Sequence, residues 1–174
     1  MIAFTSGKIA DWMKKQNPDH PVSQAVLAYA ISNILNICST LIVALAVSLL
    51  TNRFTDVFIF LLAFALLRAL SGGYHFKTMS GCIVITSFIA NVVPFIADII
   101  SLQAVLWLNV LNVLLAAIFS PSKIKGQTRI PEKYFPALKV VTVIIVMTNF
   151  WFQSSLLALT FALQCVSLIR LERR

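Results

Sequence analysis

Charged residues are scarce in this chain. Only 11% of its 174 residues are Asp, Glu, Lys or Arg, whereas 59% are hydrophobic. So little charge cannot cover the surface of a soluble domain with water-binding side chains. Apolar stretches recur along the sequence, and each is long enough to cross a hydrocarbon layer of roughly 30 Å as a helix. The sequence therefore predicts an integral membrane protein.

Cysteine and histidine are also rare, with three and two residues respectively. An odd number of cysteines, none of them paired at metal-ligand spacing, argues against a disulfide framework and against a zinc site. Cys38 and Cys165 lie inside apolar stretches, where a buried thiol behaves as a small hydrophobic group. We therefore expect both to be packing residues, and we expect no metal and no cofactor.

The apolar stretches predict an all-α polytopic membrane bundle with about six transmembrane helices, forming a single domain over residues 1–174. The last two stretches are separated only by Gln153 and Ser154, which predicts a tight helical hairpin there. The predicted spans are about 22–50, 55–70, 81–100, 103–119, 137–152 and 154–170.

The first twenty residues lack the apolar core and the small-residue cleavage site of a signal peptide, so we expect this segment to be retained. It places Phe4, Trp12 and Met13 among lysines such as Lys14 and Lys15. This pattern is typical of a short amphipathic helix lying in the membrane interface. A frayed polar tail is the alternative interpretation of residues 1–20.

The distribution of basic residues predicts the orientation of the bundle. With six spans and a cytoplasmic N-terminus, every lysine and arginine except Arg53 falls on the cytoplasmic side, as the positive-inside rule requires. Both termini, the loop at 71–80 and the basic loop at 120–139 are then expected in the cytoplasm. The net charge of +8 points to anionic lipid headgroups as partners. The sequence has no basic patch interleaved with aromatic residues, the pattern typical of nucleic-acid binding.

The densest polar cluster of the sequence runs from Arg68 to Cys82 and contains His75. A cysteine nucleophile needs a base that holds it as thiolate, and imidazole can serve at neutral pH. Because seven residues of continuous helix would separate Cys82 from His75 by about 10 Å along the axis, direct pairing requires a bend between them. The candidate catalytic residues are therefore Cys82 and His75, joined by an irregular loop.

Three glycines make that bend plausible: Gly72, Gly73 and Gly81. If the third span begins near Gly81, Cys82 lies in its first turn. There the positive end of the helix dipole would favour a thiolate, and backbone N–H groups without helical partners could cradle an oxyanion. We expect these glycines to support the site.

Other interpretations of the same cluster remain open. The Arg68 guanidinium either extends to the headgroups or binds a carboxylate and supports the loop. Ser71 or Ser80 beside His75 could act as a serine nucleophile, although a thiol is the better nucleophile at neutral pH. The chain could also be a transporter whose polar groups line a path, or an assembly protein without chemistry.

The string RALSGGYHFKTMSGC, from Arg68 to Cys82, resembles the signature of the accessory gene regulator protein B (AgrB) family. That signature has an arginine, a glycine pair, a histidine and a cysteine seven residues after it. The size, the number of spans and the basic loop after the fourth span are also similar to the family. After that span, Pro121, Ser122, Lys123 and Pro131 keep only the general character of the family's proline-containing stretch, which leaves the substrate contacts of the loop undefined.

The resemblance implies an activity. Members of the family are membrane cysteine endopeptidases of Gram-positive bacteria that process the precursor of a quorum-sensing peptide at the cytoplasmic membrane. By residue-to-residue match, Cys82 would attack the scissile carbonyl. His75 would take the proton from the Cys82 thiol and give it to the leaving amine. In members that act on cyclic-peptide precursors, a thiol or hydroxyl of the peptide then captures the acyl-enzyme, which closes a thiolactone or lactone without ATP.

The partners follow from the same expectation. A precursor with an amphipathic leader could lie on the inner leaflet and present its cleavage site to a loop at headgroup depth. Basic residues of the 120–139 loop would attract the acidic part of such a precursor, with lipid anchoring as the alternative. Small residues in the second span would permit helix pairing in a homo-oligomer. The basic residues are Lys123, Lys125, Arg129 and Lys133, and the small ones are Ala63, Ala65 and Ala69.

Overall fold

The computed structural model describes residues 2–18, 21–73, 78–122 and 131–169. These residues are almost entirely helical, which confirms the predicted all-α class. The elements are α1 (Ile2–Gln16), α2 (Gln24–Leu50), α3 (Phe54–Ser71), α4 (Met79–Ala97), α5 (Leu102–Phe119), a 3₁₀ turn (Glu132–Tyr134), α6 (Phe135–Met147), α7 (Asn149–Phe152) and α8 (Ser155–Leu168).

Five helical stretches are long and apolar enough to cross a membrane: 24–50, 54–71, 80–97, 102–119 and 132–152. They correspond to the first five predicted spans and confirm a multi-pass membrane protein. The sixth predicted span, 154–170, is represented among the described residues by α8, whose 14 residues measure about 21 Å. Its full passage through a bilayer stays a prediction.

The fifth span differs from the single helix that was predicted, because it is broken near Thr148. The Thr148 N–H donates to both Ile144 and Ile145 carbonyls, and α7 continues as one turn only. The chain then reverses at Gln153, which takes a left-handed conformation with φ 52°, and Ser154 caps α8 by accepting a hydrogen bond from the Leu157 N–H. The predicted hairpin at Gln153 and Ser154 is confirmed.

A buried asparagine holds this hairpin. Asn149 Oδ1 accepts from the Ser154 N–H at 3.1 Å, and its Nδ2 donates to the Ser154 carbonyl at 3.0 Å. The same Nδ2 also donates to Oδ1 of Asn109 on α5 at 2.9 Å. Since an apolar interior offers no water, an amide is stable there only when its polar atoms find partners. Asn149 therefore fixes α7 and α8 against α5.

The apolar core is formed around α8, which packs against α3, α4 and α5. One buried cluster joins α2, α3 and α4 through residues such as Ala44, Phe60 and Val93. A second joins α3, α5, α6 and α8 and includes Cys165, which confirms that cysteine as a packing residue. Cys38 is exposed on α2, so its predicted burial was wrong. In a bilayer the outer surface of a helix is itself apolar, and an apolar stretch does not reveal which face is covered by protein.

The N-terminal segment forms a helix, as predicted, and lies against α2. Ser6 and Ser32 are buried between the two helices and share a hydrogen bond of 2.7 Å. Phe4 and Trp12 remain exposed, which leaves an apolar face free of the bundle. The helix is confirmed, whereas its position in the membrane interface stays a prediction.

Charged residues form hydrogen bonds between two turns at one end of the bundle. Arg53, between α2 and α3, hydrogen-bonds to Asp98 after α4 and to Asp56 at 3.3 Å. These bonds raise the pKa of the Arg53 guanidinium above its ordinary value, the bond to Asp98 contributing most. The α2–α3 and α4–α5 turns therefore lie together at this end, which carries the one basic residue that the charge count assigned to the far side.

Candidate active site

The opposite end of the bundle contains the glycine pair that follows α3. Gly72 and Gly73 have φ values of 74° and 127°, in a region that residues with a Cβ rarely adopt. A Cβ added at Gly73 would also lie 2.6 Å from the Ser167 Oγ of α8, which is too close for two nonbonded atoms. The backbone turn at the end of α3 thus requires glycine at this position for two reasons.

The side chain of Gln164 on α8 binds this turn. Its Nε2 donates to Ser71 Oγ at 3.0 Å and to the Gly72 carbonyl at 2.7 Å. Ser167 Oγ donates to the Gln164 backbone carbonyl at 2.7 Å and lies 3.3 Å from Gln164 Oε1. Gln164 and Ser71 have no exposed surface, whereas Gly72 and Ser167 are half-buried.

A second contact binds the same turn to the segment after α5. The Gly73 N–H donates to the Ser122 carbonyl at 3.1 Å, and the Ser122 N–H donates to the Ser71 carbonyl at 2.8 Å. Together they form a short parallel bridge between Gly72 and Ser122. The predicted loops at 71–80 and 120–139 therefore begin side by side at one end of the bundle, as the charge count required.

Cys82 lies in the first turn of α4, as predicted, although the helix begins at Met79 rather than near Gly81. The thiol is half-buried, and its Sγ is 3.9 Å from the Thr86 Oγ1 one turn further on. The Cys82 N–H already donates to the Thr78 carbonyl at 3.2 Å. The N–H groups of residues 79–81 have no acceptor within the helix.

Gly81 has a steric role next to Cys82. A Cβ at this position would lie 2.8 Å from Thr78 Oγ1, closer than real Cβ contacts. The glycine allows the Thr78 side chain to lie against the start of α4. Its predicted role in supporting the active site stays a prediction.

Arg68 approaches the site from the last turn of α3. It is half-buried and lies over the Phe64 ring at 5.8 Å. Both predicted roles of Arg68, extension to the headgroups and carboxylate binding with support of the loop, stay predictions.

His75 lies outside the described residues, as do Lys123, Lys125 and Arg129. The pairing of His75 with Cys82 therefore stays a prediction, and so does the role of the basic loop. Lys133 is described and is exposed, with its Nζ 5.0 Å from the centre of the Tyr134 ring. Within the described ranges, no group of three His, Cys, Asp or Glu residues is arranged to hold a metal ion.

Sequence reasoning missed Gln164 and Ser167. The available signal was a glutamine inside the apolar stretch of the last helix, since a buried amide there must find hydrogen-bond partners. The identity of those partners depends on how α8 packs against the end of α3. That arrangement is not visible in the sequence.

The described residues form a multi-pass helical membrane protein with a half-buried thiol in the first turn of α4. The family model for accessory gene regulator B matches residues 6–170, and the chain belongs to this family of quorum-sensing accessory gene regulator proteins. Comparisons with curated proteins and with solved structures gave no match.

Proposed function

We propose that this protein is a membrane cysteine endopeptidase that cleaves the precursor of a small quorum-sensing peptide, with Cys82 as nucleophile and His75 as general base. The observation that carries the proposal is the placement of the Cys82 thiol. It lies half-buried in the first turn of α4. Membership of the accessory gene regulator B family over residues 6–170 supports it.

The proposed reaction begins when His75 takes the Cys82 proton and the thiolate attacks the scissile carbonyl. The oxyanion that develops accepts hydrogen bonds from N–H groups at the start of α4, where the helix dipole also favours negative charge. The carbon–nitrogen bond then breaks, and the imidazolium returns its proton to the leaving amine. The amino-terminal part of the precursor remains on Cys82 as a thioester.

The thioester can be resolved in two ways. Water attacks it to give a linear product, or a thiol or hydroxyl of the peptide attacks it to give a thiolactone or lactone. In both cases His75 accepts the proton of the attacking group and the Cys82 thiolate leaves. Cyclisation needs no ATP because the thioester is already an activated acyl group, which a thiol or hydroxyl of the peptide attacks directly.

The proposed setting is the inner face of the cell membrane of a Gram-positive bacterium. The charge count places the glycine turn and the start of the basic loop on the cytoplasmic side, and the bridge between Gly72 and Ser122 is consistent with their sharing one side. A precursor with an amphipathic leader would bind at headgroup depth. The cations of the 120–139 loop would then attract its acidic part or anionic lipid.

The buried asparagines favour this enzyme over a transporter. Asn91 donates to the Ala44 carbonyl at 3.1 Å, Asn112 donates to the Ala158 carbonyl at 2.9 Å, and Asn109 pairs with Asn149. Each of these contacts joins two helices. Polar groups that lined a substrate path would instead face an aqueous route.

The test is cleavage of a co-expressed candidate precursor in membranes by the wild type and by Cys82→Ala. Cys38→Ala and Cys165→Ala are the matched controls, since they remove the two other thiols of the chain. Loss of cleavage with Cys82→Ala alone is the expected result. Cleavage that survives this substitution would contradict the proposed mechanism and favour a transporter or assembly role.

A further inference from the structure

Helix α8 carries a fully buried glutamine that the proposed reaction does not use. Gln164 lies in a helix whose buried face is otherwise composed of small or apolar side chains and one threonine. An amide is retained in such a place only when its hydrogen bonds compensate for its removal from water. The partners of Gln164 therefore indicate what the side chain is for.

Both of its observed donor contacts fall on two adjacent residues. The amide nitrogen donates to the Ser71 hydroxyl and to the Gly72 backbone carbonyl, and these residues are the last of α3 and the first of the turn. Ser167 Oγ lies 3.3 Å from the amide oxygen and donates to the Gln164 backbone carbonyl at 2.7 Å. Its Oγ also occupies the space that a side chain at Gly73 would need.

The turn is held from two directions. Gln164 binds it from α8, and the Ser122 backbone binds it from the segment after α5. A glycine pair with positive φ values has many accessible conformations when it is unsupported. These contacts select one of them and so set the direction in which the chain leaves α3.

We propose that Gln164 is a positioning residue for the active site: it fixes the Ser71–Gly73 backbone, two residues before His75 in the sequence. This inference rests on the proposed function, because it assigns Gln164 a role only if His75 is the base for Cys82. Gln164 touches neither the thiol nor the substrate. Its effect is on the described backbone, Ser71–Gly73, from which the chain continues to His75.

The chain offers a matched control one turn earlier in the same helix. Thr160 is also fully buried, but its hydroxyl donates at 2.7 Å to the Leu156 carbonyl of its own helix. Gln164→Met and Thr160→Val are both near-isosteric replacements of a buried polar side chain by an apolar one. Of the two polar side chains, Gln164 is the one bonded to the turn.

The experiment measures kcat and KM for precursor cleavage by purified protein in vesicles, in a Cys38→Ala and Cys165→Ala background. The same preparations give the rate at which Cys82, as the sole thiol, is alkylated at neutral pH. We expect Gln164→Met to lower kcat by about tenfold to a hundredfold, since a small misplacement of a catalytic group has effects of this size. The alkylation rate should fall with it, whereas KM should stay near the wild-type value.

Thr160→Val should leave kcat, KM and the alkylation rate near their wild-type values. Gln164→Glu, whose neutral carboxyl offers one donor in place of two, should lie between Gln164→Met and the wild type. This variant decides the question if Gln164→Met is not recovered from membranes. A kcat and an alkylation rate for Gln164→Met or Gln164→Glu equal to those of Thr160→Val would overturn the positioning role.

Cys82→Ala in the same background separates this inference from the proposed function. If Cys82→Ala still cleaves, the peptidase mechanism fails, and the positioning role of Gln164 fails with it. If Cys82→Ala is inactive while Gln164→Met cleaves like Thr160→Val, only the positioning role fails.

Discussion

The two ends of the bundle are stabilised by different chemistry. At one end, Arg53 forms charge pairs with Asp56 and Asp98, and side chains that are partly exposed tie two turns together. At the other end, the buried Gln164 side chain and the Ser122 backbone hold the glycine turn through neutral hydrogen bonds. Charge pairs in contact with water add little stability and tolerate change, whereas buried amide networks specify one geometry. The proposed active site lies at the end where the described glycine turn is held by neutral hydrogen bonds.

The largest expected effect comes from the thiol itself. Cys82→Ala should reduce precursor cleavage by at least about a thousandfold, because removal of a nucleophile eliminates the covalent route. Cleavage assays in membranes, with protein levels matched by immunodetection, measure this loss. Retained cleavage would show that the end of the bundle that contains Cys82 and the glycine turn is not the catalytic end.

Gly73→Ala should be the next most severe change. The new methyl group would meet Ser167 Oγ, and the left-handed backbone alone would cost about 1–3 kcal/mol. We expect at least about a tenfold loss of cleavage and a lower Tm. The control is Gly7→Ala in α1, where an added Cβ meets nothing within 4 Å and should leave both cleavage and Tm unchanged or raise Tm slightly. If Gly73→Ala and Gly7→Ala gave the same cleavage and the same Tm, the steric role of Gly73 would be contradicted.

Thr86→Val should have a small effect at the same end. Its hydroxyl lies 3.9 Å from the Cys82 Sγ, which is a weak contact compared with a hydrogen bond between oxygen and nitrogen. Cleavage should change by less than about threefold, in keeping with so weak a contact. Titration of the cleavage rate against precursor concentration tests this. A loss comparable to that of Cys82→Ala would assign Thr86 a direct role in the reaction.

Arg53→Gln should leave cleavage unchanged and lower Tm slightly. Because the pKa of Arg53 is raised by its bonds to Asp98 and Asp56, the stability that this arginine contributes is fully present below its ordinary pKa and is lost only at strongly alkaline pH. The Tm difference from the wild type should therefore be the same at pH 6 and pH 8. A loss of cleavage by this variant would contradict the division between the two ends.

The sequence predicted much of this arrangement. The scarcity of charge and the apolar stretches predicted a helical membrane bundle, and Gln153 with Ser154 predicted the final hairpin. The position of Arg53 predicted which turns share an end. These features depend on composition and spacing, which a single sequence displays directly.

Other features depend on contacts between distant parts of the chain. The break at Thr148 and the exposure of Cys38 both depend on which neighbour each helix face meets, and an apolar sequence is compatible with several choices. Gln164 was overlooked because its partner Gly72 is 92 residues away. The motif from Arg68 to Cys82 identified the candidate site. The side chain that binds its glycine turn, Gln164, lies on α8, outside the motif.

The distance along the chain between Gln164 and Gly72 has a consequence for biosynthesis. A ribosome completes α3 and the glycine turn long before it makes α8, so the turn enters the membrane without its anchor. The glycine turn gains its contact with Gln164 only after the last described helix has been made and packed. A nascent chain therefore has a turn without this support until nearly all of the described helices are in place.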